Sequence, residues 1–314
     1  MSAARPRVLL DCDPGHDDAF ALLFAARACE LVAITTVSGN VGVASTTRNA
    51  RIVRELAGIE GVPLVRGAAG PLVGEPLHAP DVHGESGLDG PELPEPRVPV
   101  TAGTAAQAIV ETARSVNDLW LVATGPLTNV ALALRLDPDL PSRLAGVSLM
   151  GGSRTFGNTT AAAEFNILAD PEAAEAVFAS GARIVMAGLD LTHQFRLGAE
   201  EVEELRAMPG PVGRFAADLL GFFLSSYERR SGQASAPMHD PCAVMALTDP
   251  HLFERESLRV VVELAGRHTR GMTLCDQRDL HRRAAPNAEV LATIDAPAAW
   301  ARLRDTLAGY GDAR

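Results

Sequence analysis

An apolar strand running straight into four carboxylates constrains this chain more than any other feature. Val8-Leu9-Leu10 leads into Asp11-Cys12-Asp13-Pro14-Gly15-His16-Asp17-Asp18-Ala19, so Asp11, Asp13, Asp17 and Asp18 fall within eight positions. Asp11 and Asp13 are two apart and share one face of a strand. Pro14-Gly15 ends that strand, and Gly15 is expected to supply the positive φ of a tight strand-to-helix turn. Residues 19 to 26 continue as a helix, which puts Asp17 and Asp18 in its first turn, where the helix dipole favours carboxylates. Read separately, Asp17 and Asp18 are helix-start residues and Asp13 belongs to a plain turn. Converging on one spot in a partly dry crevice, the group requires a positive charge among them. Oxygen ligands without thiols suit a hard cation such as Ca²⁺ or Mg²⁺. Ligand sites in open α/β sheets lie at this end of the strands. An EF-hand does not fit, because the glycine is displaced by one position and no Glu closes the loop.

The rest of the chain repeats the strand-then-helix rhythm. Residues 7 to 67 read as strand, helix, strand, helix, strand, with a second strand at 31–37, a helix at about 44–57 and a short third strand at Leu64-Val65. The pattern resumes with a helix near 104–115 and a strand at 119–123. A helix then opens at Thr124-Gly125-Pro126, with Pro126 suited to its first turn. Further strands are expected at 146–150, 184–187, 258–264, 271–275 and 289–294, with helices from about Asp170, over 199–231 and from Ala296. Alternation of this kind predicts an α/β fold, an open, mostly parallel (mixed) sheet flanked by helices. No repeat or composition shift marks a boundary, so residues 1–314 are expected to form a single domain. Residues 70–99 break the rhythm with seven prolines and five glycines. Their centre, Asp81-Val82-His83-Gly84-Glu85-Ser86-Gly87-Leu88-Asp89-Gly90, is too particular for a linker, and a mobile flap over a pocket is expected.

Composition removes several function classes. A net charge of −11 argues against nucleic-acid or anionic-membrane partners. All 28 basic residues are Arg, which excludes a Walker P-loop, a Schiff-base lysine and a lysine general base. The four cysteines form no Cys-x-x-Cys pair, and a reduced, cytoplasmic setting is expected. No apolar run is long enough to span a bilayer.

Three further clusters fall beside strand ends: Asn40, the group Asn158, Glu164 and Asn166, and His239-Asp240. Asn40 also reads as a turn residue, Asn158 and Asn166 as loop caps, and Asp240 as an N-cap. Together they supply the carboxylates and amides that grip the hydroxyls of a sugar. They carry no arginine cluster for a phosphate.

Asp11-Cys12-Asp13-Pro14-Gly15-His16-Asp17-Asp18-Ala19, with the later Glu164-Phe165-Asn166 and His239-Asp240-Pro241-Cys242, resembles the inosine–uridine-preferring nucleoside hydrolase family, in matching order from about residue 7 to 250. The resemblance implies a Ca²⁺ held by Asp13, Asp18, Asp240 and the carbonyl of Thr124, with Asp13 also the base toward water. It implies ribose contacts from Asp17, Asn40, Asn158, Glu164 and Asn166, and leaving-group protonation by His239. His83 would sit on the flap above the base, and Asp11 would support the ligands from behind. Phe165 flanks the same site, and Asp240 reaches both metal and substrate. The segment 223–233 would line the base pocket, with Tyr227, and Gln233 near it, touching the base. The implied substrate is a nucleoside such as inosine, uridine or cytidine, and the implied assembly a homo-oligomer, tetramer or dimer.

Two rivals use part of the same inventory. A haloacid dehalogenase-type phosphatase also opens with Asp-x-Asp after an apolar strand, but needs Thr or Val where Gly15 stands and usually a downstream Lys. A non-catalytic nucleoside- or ribose-binding protein would keep the amides without needing Asp13 and His239.

Overall fold

Side chains on successive residues of a buried strand point to opposite faces, and here both faces are covered. Val8, Leu10 and Cys12 enter one core and Leu9 the other; Val122 joins the first, Leu119, Leu121 and Ala123 the second. That is why the strands read as unbroken apolar runs. The computed structural model describes residues 5–278 and 284–312. In chain order the strands are β1 (Arg7–Cys12), β2 (Glu30–Thr36), β3 (Leu64–Arg66), β4 (Leu119–Ala123), β5 (Leu144–Met150), β6 (Ile184–Ala187), β7 (Arg196–Leu197), β8 (Ala236–Pro237), β9 (Phe253–Val262), β10 (Thr273–Asp276) and β11 (Ala288–Ile294).

Nine of them form one sheet in the order β10-β9-β11-β6-β5-β4-β1-β2-β3. From β11 to β3 every pairing is parallel, while β9 and β10 add antiparallel strands at the far edge. The first core holds the helices His16–Ala28, Gly210–Ser231, Pro241–Thr248 and Ala296–Ala308, and the second holds Ala105–Ser115, Thr128–Leu136 and Pro171–Phe178. The mixed α/β expectation therefore holds, with a single domain.

The chain moves outward from β1 to β2 and β3, then returns to place β4 on the other side of β1. This reversal opens a crevice beyond the carboxyl ends of β1 and β4. Asp11 is level with Thr35 of β2 and Ala123 of β4, so Asp13, Val37 and Thr124 emerge together.

Three local expectations need correction. Gly15 has φ −98° and ψ −161°, an extended residue at the helix N-cap. What it provides is room: a Cβ there would lie 2.6 Å from His83 Nδ1 and 2.7 Å from Asn40 Nδ2. Pro126 lies in the turn before the helix Thr128–Leu136, not in its first turn. The strand expected at 258–264 begins earlier, at Phe253, because its first half is an exposed, charged stretch without an apolar signature.

Candidate active site

Asp13 is buried just past β1. Its Oδ2 accepts the backbone N–H of Asn40 at 2.7 Å, and its Oδ1 has no partner among the described residues. Gly39 and Gly125 make the space, since a Cβ on either would collide with this carboxylate. Asp18, in the first turn of the following helix, accepts four donors. Thr124 Oγ1 (2.8 Å) and Asp13 N (3.3 Å) reach Oδ1; Gly15 N (3.0 Å) and Asn40 Nδ2 (3.1 Å) reach Oδ2. Asp240 arrives at the N-cap of the helix Pro241–Thr248, yet its side chain caps nothing. Asp17, Asp18 and Asp240 each bring a carboxylate oxygen within 4.8 Å of the others.

Burial, reinforced by neighbouring carboxylates, pushes Asp13 and Asp240 well above the usual carboxylate range and Asp17 up to about 7. Asp17, Asp18 and Asp240 are like charges packed against one another in a dry site. Carboxylates this close and this dry cannot all ionise unless a proton or a cation lies among them. The orphaned Asp13 oxygen and an all-oxygen donor set thus fit a hard cation. Asp11 stands apart. Its Oδ1 accepts Thr35 Oγ1 at 2.6 Å and Asn129 Nδ2 at 2.8 Å, and Asn129 in turn holds the N–H of Ala68. Burial raises Asp11 to about 6.

Opposite the carboxylates, a cavity of about 650 Å³ is lined by Asp17, Asn40, His83, Thr124, Asn158, Glu164, Phe165, Asn166, Tyr227, Gln233, His239 and Asp240. Asp13 and Asp18 lie behind this wall. Asn166 gives its Nδ2 to the carbonyls of Thr124 (2.8 Å) and Met150 (3.1 Å), and its Oδ1 has no hydrogen bond among the described residues. Glu164 N-caps the helix Phe165–Ala169, accepting N–H groups of Asn166, Ile167 and Gly152. Burial raises its pKa despite those bonds. Asn158 sits exposed at the rim, where its Oδ1 accepts the Phe165 N–H at 2.9 Å and its carbonyl accepts Arg230 at 3.2 Å. Gln233 is gripped by Arg196 at 2.7 Å.

His239 lies between the Thr192 hydroxyl, 2.7 Å from Nδ1, and the Tyr227 hydroxyl, 3.3 Å from Nε2. Burial, then His193 and Arg196, push it down to about 3, so the ring is neutral. His83 ends the short helix Pro80–His83 of the proline-rich segment. Its Nδ1 lies 3.1 Å from His16 Nδ1 and 3.2 Å from the His16 backbone N. The segment is also held by Asn49, which donates to Pro14 O and Ser86 O, and by His16 Nε2, 2.8 Å from Asp89 O.

All the expected site residues therefore come to one crevice. His16, Thr192 and His193 escaped the sequence reading. Thr192 and His193 follow Gly-Leu-Asp-Leu after β6, a polar turn behind a buried strand like those that flagged the other clusters.

The family profile described as inosine-uridine preferring nucleoside hydrolase matches residues 8–301. The chain is 44% identical to the pyrimidine-specific ribonucleoside hydrolase RihA of Escherichia coli (strain HS), over 96% of this chain and 98% of that one. A purine-preferring ribonucleoside hydrolase from Gardnerella vaginalis superposes with a TM-score of 0.91 at 30% identity, covering 97% and 99% of the two chains. A plant nucleoside hydrolase gives 0.89 at 31%, covering 96% and 99%. Matched over nearly its whole length by the profile and at 44% identity by that relative, this chain belongs to the inosine-uridine preferring nucleoside hydrolase family.

Proposed function

We propose that this ribonucleoside hydrolase cleaves the N-glycosidic bond of pyrimidine nucleosides to free base and ribose, with Ca²⁺ held by Asp13, Asp18, Asp240 and the carbonyl of Thr124. The observation that carries this proposal is the buried Oδ1 of Asp13, without a partner among the described residues, together with the clustered carboxylates of Asp17, Asp18 and Asp240. Bound there, the cation would neutralise the cluster and polarise the oxygens it holds. Asp13 Oδ1 has no other hydrogen bond to give up, so it is free to take the proton of the attacking water.

Ribose hydroxyls are met by Asp17, Asn40, Asn158, Glu164 and Asn166. Asn166 turns its free Oδ1 to a hydroxyl, while its tethered Nδ2 keeps the amide from flipping. The surrounding acceptor oxygens favour the positive charge that develops on the ribosyl ring. Phe165, half-buried, forms one wall, and His83 closes the flap side over the base.

His239 is neutral, so its contribution at the leaving group is a donated hydrogen bond to the growing negative charge. Full proton transfer from an imidazolium, which the resemblance implies, does not suit a ring held near 3. Tyr227 stands next to it with a hydroxyl whose pKa burial raises, which keeps it a donor. Pyrimidine preference is supported by the 44% identity to a pyrimidine-specific relative, against 30% to a purine-preferring one. Family membership sets aside the phosphatase and non-catalytic alternatives. The same proposal includes homo-oligomeric assembly and a cytoplasmic setting; the four free cysteines are consistent with the latter. Among the described residues no helix is long and apolar enough to cross a membrane.

Release of reducing sugar from uridine, cytidine, inosine and adenosine tests the proposal. Uridine and cytidine should have the highest kcat/KM; a preference for the purines would overturn the substrate assignment, and release from none would overturn the activity.

A further inference from the structure

Thr192 ends the short helix Leu189–Thr192 behind β6 and is fully buried. One strand pair and a backbone bond beside it set its position. Arg196 and Leu197 of β7 pair with Pro237 and Ala236 of β8, and the N–H of Met238 donates to Phe195 O at 2.8 Å. This ladder folds His239 back over Thr192. The Thr192 Oγ1 then lies 2.7 Å from His239 Nδ1, its one hydrogen-bond partner among the described residues.

A hydroxyl has one proton to place. Leaving it without an acceptor in a dry interior costs more than leaving an oxygen lone pair unused. The Thr192 hydroxyl therefore donates to Nδ1, so Nδ1 presents a lone pair and the ring proton sits on Nε2. Nε2 faces the Tyr227 hydroxyl at 3.3 Å, and both residues line the cavity. With Nε2–H donating to the Tyr227 oxygen, the Tyr227 O–H is left to donate onward. Donors thus run in one direction, from Thr192 through His239 and Tyr227 into the cavity.

We propose that Thr192 is a positioning residue for glycosidic cleavage: its hydroxyl locks His239 in the tautomer that gives an N–H, not a lone pair, to the Tyr227 oxygen, and so leaves the Tyr227 O–H to donate toward the leaving nucleobase. The proposal rests on the hydrolase activity above and adds the residue that sets donor direction. A lone pair on Nε2 would take the Tyr227 proton and turn an oxygen lone pair toward the negative charge that builds on the base as the bond breaks.

The test is ¹⁵N NMR of the histidine rings in Ca²⁺-loaded protein, with His239 assigned by its loss in His239→Asn. His239 should carry its proton on Nε2 in the wild type and in Thr192→Ser, and a mixture of tautomers should appear in Thr192→Val. Alongside it, Thr192→Val should lower kcat for uridine roughly tenfold, the worth of one hydrogen bond, with KM little changed. Hydrolysis of p-nitrophenyl riboside, whose leaving group needs no donor, should be nearly unaffected, and Thr192→Ser should recover the uridine rate. A wild-type ring protonated on Nδ1 would overturn the proposal, as would equal losses on both substrates in Thr192→Val. Should Thr192→Val fail to fold, the wild-type tautomer still decides. Absence of activity on every nucleoside, with the Nε2 proton in place, would instead refute the hydrolase reading.

Discussion

The backbone N–H of Asn40 donates to Asp13 Oδ2 at 2.7 Å, and this single bond leaves Oδ1 of the same carboxylate buried with nothing to bind. The loop after β2 thereby holds one oxygen of the carboxylate, and the other is left for chemistry. Asp13→Asn, which keeps the shape and removes the base, should reduce kcat by about 10²–10⁴-fold, the usual worth of a general base. Circular dichroism should show the fold intact, so that the loss is chemical.

Room around Asp13 is as important as its charge. Gly125→Ala puts a methyl against the Asp13 carboxylate. Isothermal titration should show weakened Ca²⁺ binding, and turnover should fall with it. Unchanged affinity would mean that Asp13 is not a ligand.

Metal removal should reveal a pH dependence of opposite sign to that of ordinary paired carboxylates. Asp17 is raised from 3.8 to about 7 by burial and by Asp18, so the metal-free folded state keeps a proton that the unfolded chain releases. Stability from this source is complete below pH 3.8 and is lost as pH rises through about 7. Thermal melts of chelated protein should therefore fall across that window, and added Ca²⁺ should flatten the curve. A melt that rises with pH in the chelated protein would contradict the site's electrostatics.

His239 can be separated from the ribose half of the site by changing the leaving group. His239→Ala should cost uridine hydrolysis on the order of 10²-fold, with much less loss on p-nitrophenyl riboside. Equal losses would mean that the ring only supports its neighbour Asp240.

The proline-rich segment is tied to the carboxylate-bearing turn through His16, whose Nε2 lies 2.8 Å from Asp89 O, and through Asn49, which holds both Pro14 O and Ser86 O. Hydrogen exchange over residues 78–90 should slow when a ribose-like inhibitor binds, and should quicken in His16→Ala. Equal protection with and without inhibitor would argue against a lid.

Much of this was legible in the residues because the sheet is buried on both faces. Parallel strands such as Leu119–Ala123 appear as continuous apolar runs, and polar groups placed just after them mark the crevice. What could not be read depends on contacts distant in sequence. Thr192 looks like the end of an apolar turn until β7 and β8 bring His239, 47 residues on, against it. Gly15 looked like a φ requirement, whereas its constraint comes from His83 and Asn40 packing over it. Glu164 reads as a sugar ligand, yet three backbone N–H groups already bind it, so it also builds the loop that carries Asn166. Asp11 joins the motif in sequence but turns to Thr35 and Asn129, bracing the strand ends.

The central claim is that the crevice uses water to cut a nucleoside at its N-glycosidic bond. Ca²⁺-saturated protein incubated with uridine in phosphate-free buffer, with products separated by chromatography, measures it most directly. Uracil and free ribose should appear in equal amounts, and chelation should stop both. Ribose 1-phosphate formed only when phosphate is supplied, or uracil released without ribose, would contradict it.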